Sequence, residues 1–237
     1  NLYFASLAAR GRVLTSYVTI ANPSQPNYVA LNFGDTMGVI SNDVINLPGR
    51  NIVDLLEEAG VSWKTYQEDY PGGCNTAERA GSDSGRTYAR KHNAFISADT
   101  VRLDPARCAK IVDHLAFEAD IAAGTLPRYA VFVPNANHSS HDTTVGFAAD
   151  WMRSWLEPKL ANPALADVLW VITWDEGTVN GSEQLLTILL GRGVAAGTTD
   201  TTRYDHYALL RTTQVLFGLG SLGRNDATAP VIPVFRD

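Results

Sequence analysis

At 237 residues the chain is long enough to bury one substantial core and is read as one domain. A net charge of -6, with 45% hydrophobic and 19% charged residues, describes an ordinary globule and excludes a general attraction to nucleic acid or an anionic membrane. The longest apolar stretch, around Val168 to Trp174, is strand-sized, so no transmembrane segment is expected.

The apolar, β-branched run Ser16-Tyr17-Val18-Thr19-Ile20 reads as a strand entering the rigid turn Asn22-Pro23-Ser24-Gln25-Pro26-Asn27-Tyr28, with a helix after it. A lone hydroxyl at that junction has two uses: an N-cap for the helix, or a nucleophile aimed out from the end of a sheet. Asn51 caps a helix with apolar positions Ile52, Val53, Leu55, Leu56 and Ala59, closed by Gly60. Val61 to Tyr66 follows as a strand, and the Gly- and Ser-rich stretch from Pro71 to Gly85 reads as a long ordered loop or lid.

Asp104-Pro105 opens a second helix, whose face through Cys108, Ile111, Val112, Leu115, Ala119 and Ala122 runs to Gly124. Tyr129 to Val133 is a buried-type strand and Val145 to Leu160 a third helix. Val168 to Thr173 and Leu185 to Leu190 are further buried strands, and Tyr207 to Phe217 is a final helix. Helices alternating with short, continuously apolar strands predict one α/β domain, a mostly parallel sheet covered on both faces. Cys74 and Cys108 leave two readings open: a disulfide formed in an oxidising compartment, or two unrelated small apolar residues.

In such a sheet a ligand binds beyond the carboxyl ends of the strands, and the unusual polar groups fall there. Ser24 and Asn27 follow the first strand; Asn135, Asn137, His138, His141 and Asp142 follow the strand ending at Val133; Asp175 and Glu176 follow Thr173-Trp174. His92 and His206 lie in loops or at element boundaries, whereas His114 falls on the polar side of its helix. Adjacent carboxylates at the end of a buried strand repel, and a divalent cation is the simplest way to keep both ionised. A serine at a helix N-terminus is helped by backbone N–H groups and the helix dipole, which also attract phosphate. Asn27 is then placed to donate to a non-bridging oxygen, and the histidines with Lys91 or Arg90 to bind the remaining oxygens or protonate a leaving group. The residues therefore suggest phosphoryl transfer to Ser24 followed by hydrolysis. A Ser-His-Asp esterase is the rival use, set lower because no Gly-x-Ser-x-Gly elbow is present.

The segments Phe4 to Gly11, Pro23-Ser24-Gln25-Pro26-Asn27-Tyr28, Tyr88 to Asn93, Val133 to Asn137, His141-Asp142, Thr173-Trp174-Asp175-Glu176 and His206-Tyr207 stand in an order that resembles the phosphoesterase family. This family holds secreted acid phosphatases and phospholipase C-type enzymes, within the alkaline phosphatase superfamily. The likeness is greatest to bacterial secreted acid phosphatases acting on phosphatidylinositol phosphates. The resemblance implies a three-layer α/β/α sandwich, a secreted or periplasmic location, and hydrolysis of phosphate monoesters through a phosphoserine on Ser24. It further implies that Asp175 and Glu176, with Ser24, bind a divalent metal ion (calcium, magnesium or zinc), that Asn27 contacts phosphate, and that His92, His141 and His206 line the pocket or bind metal. The substrate it implies is a small phosphorylated molecule, a phospholipid head group among the candidates.

Two departures are expected to matter. The family opens with a strand ending in metal-binding Glu-Asn, and the six residues ahead of Leu7 do not provide it within a domain taken as 1–237. Ser139 also stands where a carboxylate is usual. These features keep two alternatives in view: a phosphodiesterase or phospholipase C-type activity, and a relative that binds phosphorylated ligands without turnover.

Overall fold

The computed structural model describes residues 1–81, 87–177 and 183–235. Its first elements in chain order are helix α1 (Leu2–Arg10), strand β1 (Arg12–Tyr17), helices α2 (Gln25–Phe33) and α3 (Ile52–Glu58), and strands β2 (Trp63–Gln67), β3 (Arg79–Ala80) and β4 (Tyr88–Ala89). There follow the short helices α4 (Ala94–Ser97), α5 (Asp99–Arg102) and α6 (Pro105–Cys108), strand β5 (Ile111–Asp113), α7 (Leu115–Ala123), β6 (Tyr129–Val133) and α8 (Val145–Leu160). The chain continues through β7 (Trp170–Ile172), β8 (Thr187–Leu190), β9 (Thr198–Tyr204) and α9 (His206–Leu216).

Local chemistry explains most of these boundaries. Asn51 accepts from Val53 N–H while Asp54 accepts from Asn51 N–H, a reciprocal cap that starts α3. Thr144 and Asp205 cap α8 and α9. Gly34 closes α2 at φ 71°, a left-handed conformation, where an added Cβ would lie 2.6 Å from Asp226 Oδ1.

The single helix expected from Asp104 to Gly124 is instead α6, β5 and α7. Ile111 and Val112 are β-branched and pair with Thr65 and Tyr66 of β2, so a sheet partner overrides the helical spacing. His114 correspondingly sits at the N-terminal cap position of α7, its Nδ1 3.1 Å from Asp113. α1 and the exposed, polar β9 are elements that the sequence reading did not anticipate. α1 is integral to the core: Tyr3, Phe4 and Leu7 pack against Ala149 and Leu156 of α8 and Ile172 of β7.

The expected α/β architecture holds, with its strands in more than one sheet among the described residues. One sheet has the order β7-β8-β1-β9, another β5-β2-β6, and β3-β4 form a hairpin. The second sheet is wholly parallel, while β8 runs antiparallel to both β1 and β7. Because β8 reverses between them, β7 runs the same way as β1, and β9 is parallel to β1. The carboxyl ends of β1, β7 and β9 therefore share one edge, and the segments carrying Ser24, Asp175-Glu176 and His206 leave from it.

Between the sheets lies a cavity of about 220 Å³, lined by Ala130 and Phe132 of β6, Trp170 to Ile172 of β7, Trp151 and Trp155 of α8, and Asp175 at its polar end. Cys74 and Cys108 are joined in a disulfide, with Cα atoms 5.7 Å apart. It ties the loop after β2 to α6. Part of the expected loop from Pro71 to Gly85 (residues 82–85) lies outside the described residues.

Candidate active site

Ser24 occupies the N-cap position of α2 but does not cap it. Its hydroxyl makes no hydrogen bond to the helix N-terminus. Asn42 Oδ1 accepts from Gln25 N–H instead, at 3.1 Å, and Ser24 Oγ donates to Glu176 Oε1 at 2.6 Å. The serine is 1% exposed, so this bond is made in a water-poor setting that strengthens it. The turn that delivers it contains a cis peptide bond between Asn22 and Pro23. Residues 152 positions apart thus meet at one edge of the first sheet.

The carboxylate pair has an unusual environment. Asp175 Oδ2 is enclosed and without a partner among the described residues. Burial, and then the charge of Glu176, push the Asp175 carboxyl up to about 6. An enclosed, unpaired carboxylate oxygen beside a second carboxylate and a hydroxyl is an oxygen-rich donor set that fits a hard divalent cation.

His206 anchors this pair from behind. Its ring is 2% exposed, Nε2–H donates to the Asp175 backbone carbonyl at 2.8 Å, and Nδ1 accepts from the Tyr17 hydroxyl at 3.0 Å. Burial lowers its pKa, which suits the neutral ring this pattern requires. Both nitrogens are therefore engaged, and the ring positions the Asp175 backbone rather than facing the cleft. Asn27 is held at the same edge. Its Oδ1 accepts from Thr19 Oγ1 and from the N–H groups of Ile20 and Ala21, and its Nδ2 donates to Ala21 O at 2.7 Å. These bonds clamp the loop ahead of Ser24.

Facing the acids is a basic group from the β4 and β6 loops. Lys91 Nζ lies 2.9 Å from His141 Nε2, and His141 Nδ1 is 2.6 Å from Asp142 Oδ1. Burial and the nearby Arg79 lower the Lys91 pKa, while Asp175, Glu176 and Asp142 oppose the shift, which places Lys91 within electrostatic reach of the acid pair. His92 is buried behind these residues, stacked on Tyr28 with ring centroids 5.2 Å apart. Desolvation, with the charges of Lys91, His141 and Arg79, holds it down to about 3. It is a neutral wall of the site, and its buried Nε2 has no partner among the described residues. Arg90 is likewise committed, donating to the Thr76 and Ile45 carbonyls and to Asn46 Oδ1.

Two groups escaped the sequence reading. Glu68 and Asp69 directly follow β2 as Asp175 and Glu176 follow β7, and the same strand-end rule would have found them. Buried Glu68 accepts from the Asn135 N–H and sits 2.8 Å from His138 Nδ1, while the His138 ring stacks on Trp151 at 4.6 Å. Tyr28 is one turn beyond Ser24 on α2. Burial, then the charges of Asp175 and Glu176, raise its phenol well above the usual range and keep it protonated.

The fold is shared with solved proteins. A Vibrio parahaemolyticus protein described as a member of the alkaline phosphatase superfamily matches with a TM-score of 0.60 at 13% identity, over 97% of this chain and 64% of its own. The profile of the Phosphoesterase family matches residues 2–220, and the chain belongs to that family. An acid phosphatase of Aspergillus fumigatus is 35% identical, over 96% of this chain and 53% of its own length. A phosphatidylinositol-3-phosphatase of Mycobacterium tuberculosis is 29% identical, over 99% of this chain and 76% of its own. The chain thus spans about half the length of the fungal relative.

Proposed function

We propose that this chain carries the catalytic centre of a phosphoric ester hydrolase of acid phosphatase type, acting on phosphate monoesters through a phosphoserine at Ser24. The observation that carries the reading is the 2.6 Å hydrogen bond from Ser24 Oγ to Glu176 Oε1, with Asp175 beside it and Lys91 facing both. Names of relatives support the reaction class, since acid phosphatases recur among them.

Glu176 accepts the serine proton as Ser24 Oγ forms its bond to phosphorus and the ester P–O bond breaks. Lys91 balances charge on the phosphoryl oxygens. The proton shared between Lys91 Nζ and His141 Nε2, the latter oriented by Asp142, passes to the departing alcohol oxygen. Water then attacks the phosphoserine and gives a proton to the Lys91–His141 pair, while Glu176 returns its proton to Ser24 Oγ as inorganic phosphate leaves. His206 and Tyr17 keep the Asp175 backbone in place throughout. Asp175 and Glu176, with Ser24 Oγ, are the residues that would hold a divalent cation, which supplies charge neutralisation when bound.

The disulfide suits an oxidising, extracytoplasmic location. Among the described residues no helix is long and apolar enough to cross a membrane. The phosphatidylinositol-3-phosphatase relative makes inositol phosphate head groups a substrate class to include in any panel.

Ser24→Ala tests the assignment. The exchange removes one side-chain hydrogen bond and no packing volume larger than a hydroxyl, so the fold is retained. Turnover of 4-nitrophenyl phosphate is expected to fall at least ~10³-fold. Full activity in a folded variant refutes the nucleophile.

A further inference from the structure

The face of α2 that presents Ser24 continues into the interior. Tyr28 and Asn32 follow the serine at intervals of four residues, and side chains at that spacing lie one above another on a helix. Tyr28 lines the cavity that ends at Asp175 and also a second one, of about 40 Å³, bounded by Val131 and Val133 of β6. Asn32, His92 and Gln67, the last residue of β2, line this second cavity, whose walls are otherwise aliphatic or aromatic.

Polar atoms of all three residues are left over by the fold. Asn32 Nδ2 and His92 Nε2 are enclosed and have no partner among the described residues. Gln67 spends its amide nitrogen on Thr65 Oγ1 at 2.6 Å, which leaves its oxygen as the group free to accept. The three residues are at most 5% exposed, so bulk solvent does not serve them, and buried polar atoms left unmet are costly. Their hydrogen-bonding senses suit one molecule. Asn32 Nδ2 only donates and Gln67 Oε1 only accepts, while the neutral His92 ring keeps a lone pair on one nitrogen. Two acceptors exclude an anion, and the amide donor excludes a cation. A water carries both senses, makes about three bonds in a protein interior, and fits a space of this size.

We propose that this cavity is a binding site for one structural water, which accepts from Asn32 Nδ2 and donates to Gln67 Oε1 and His92 Nε2. The bond to Nε2 fixes the neutral tautomer of His92 that carries its hydrogen on Nδ1. It also fixes the ring itself, which stacks on Tyr28 with centroids 5.2 Å apart and meets His141 edge-on at 5.5 Å. Asn32 and Gln67 are thus positioning residues: they act through the water on the wall that carries Tyr28 and His141. The inference depends on the fold and not on the reaction assigned to Ser24.

A high-resolution crystal structure of this chain tests the site directly. One water peak is expected within about 2.7–3.2 Å of Asn32 Nδ2, Gln67 Oε1 and His92 Nε2. Nitrogen NMR of the histidine side chains reads the tautomer, and His92 should show a lone-pair signal at Nε2 and a protonated one at Nδ1. Asn32→Leu removes the donor and keeps a side chain of similar size, so the water peak is expected to vanish and the His92 Nε2 signal to move from its wild-type position. An empty cavity in the wild type, a water bonded to Gln67 alone, or a hydrogen on His92 Nε2 overturns the proposal. So does a folded N32L that keeps both the water and the wild-type His92 signal. The two wild-type measurements decide the matter by themselves where N32L does not fold.

Discussion

On one side of Ser24, Asp175 and Glu176 come directly off β7; on the other, Lys91 and His141 come from turns after β4 and β6. The acid side is held from within: the Asp175 carbonyl is bonded to His206, which is bonded to Tyr17. The basic side is tied mainly to itself, through Lys91, His141 and Asp142, and its histidine side chain is 36% exposed. The difference separates two requirements of the proposed reaction. A nucleophile and its base need fixed geometry, which backbone hydrogen bonds provide at the end of a sheet. Groups that meet a variable substrate are better carried on loops.

If that division is right, the largest loss after removal of Ser24 itself should come from the acid side. Glu176→Gln keeps shape and a weak acceptor but removes the base. kcat on an aryl phosphate is expected to drop about 10²- to 10³-fold, with KM little changed. A loss confined to KM would assign Glu176 to substrate binding instead. Lys91→Met should have a smaller effect, about 10- to 10²-fold in kcat/KM. Its competitive inhibition by inorganic phosphate should weaken in parallel, and undiminished inhibition would move Lys91 out of the phosphate site.

The smallest effect concerns the neutral wall behind the basic side. His92 is held near 3 in the fold, against an ordinary value of 6.5, by burial and neighbouring positive charges. Between those values the unfolded chain binds the proton that the folded chain refuses. Stability should therefore fall as pH drops from about 6.5 toward 3, and rise again on the return. His92→Phe retains a ring against Tyr28 and removes the titration. Thermal melts of the two proteins should diverge below pH ~6.5, with the variant losing less. Parallel curves would show that His92 takes up a proton in the native state.

Much of the site was legible in residue order because strand ends are legible. Apolar runs stopping at Ile20, Val133 and Trp174, each followed by hydroxyl, amide, imidazole or carboxylate groups, bring Ser24, His141 and Asp175 to one edge once parallel strands are assumed. The helices at Ile52–Glu58 and Val145–Leu160 were likewise readable, because Asn51 and Thr144 cap them locally. The segment from Asp104 to Gly124 was not. Its apolar spacing suits a helix until β2 offers Ile111 and Val112 a hydrogen-bonded partner more than forty residues away in sequence.

What the sequence determined by itself was the inventory: a hydroxyl at a rigid turn, a late acid pair, and cations in the loops between. Tertiary structure decided the tasks. Asn27 and His206 carry groups suited to holding phosphate, yet their polar atoms are taken up by Ala21 and Asp175 backbone and by Tyr17. A donor's partner depends on which acceptor lies within about 3 Å, and that distance is set by packing between segments far apart in the chain.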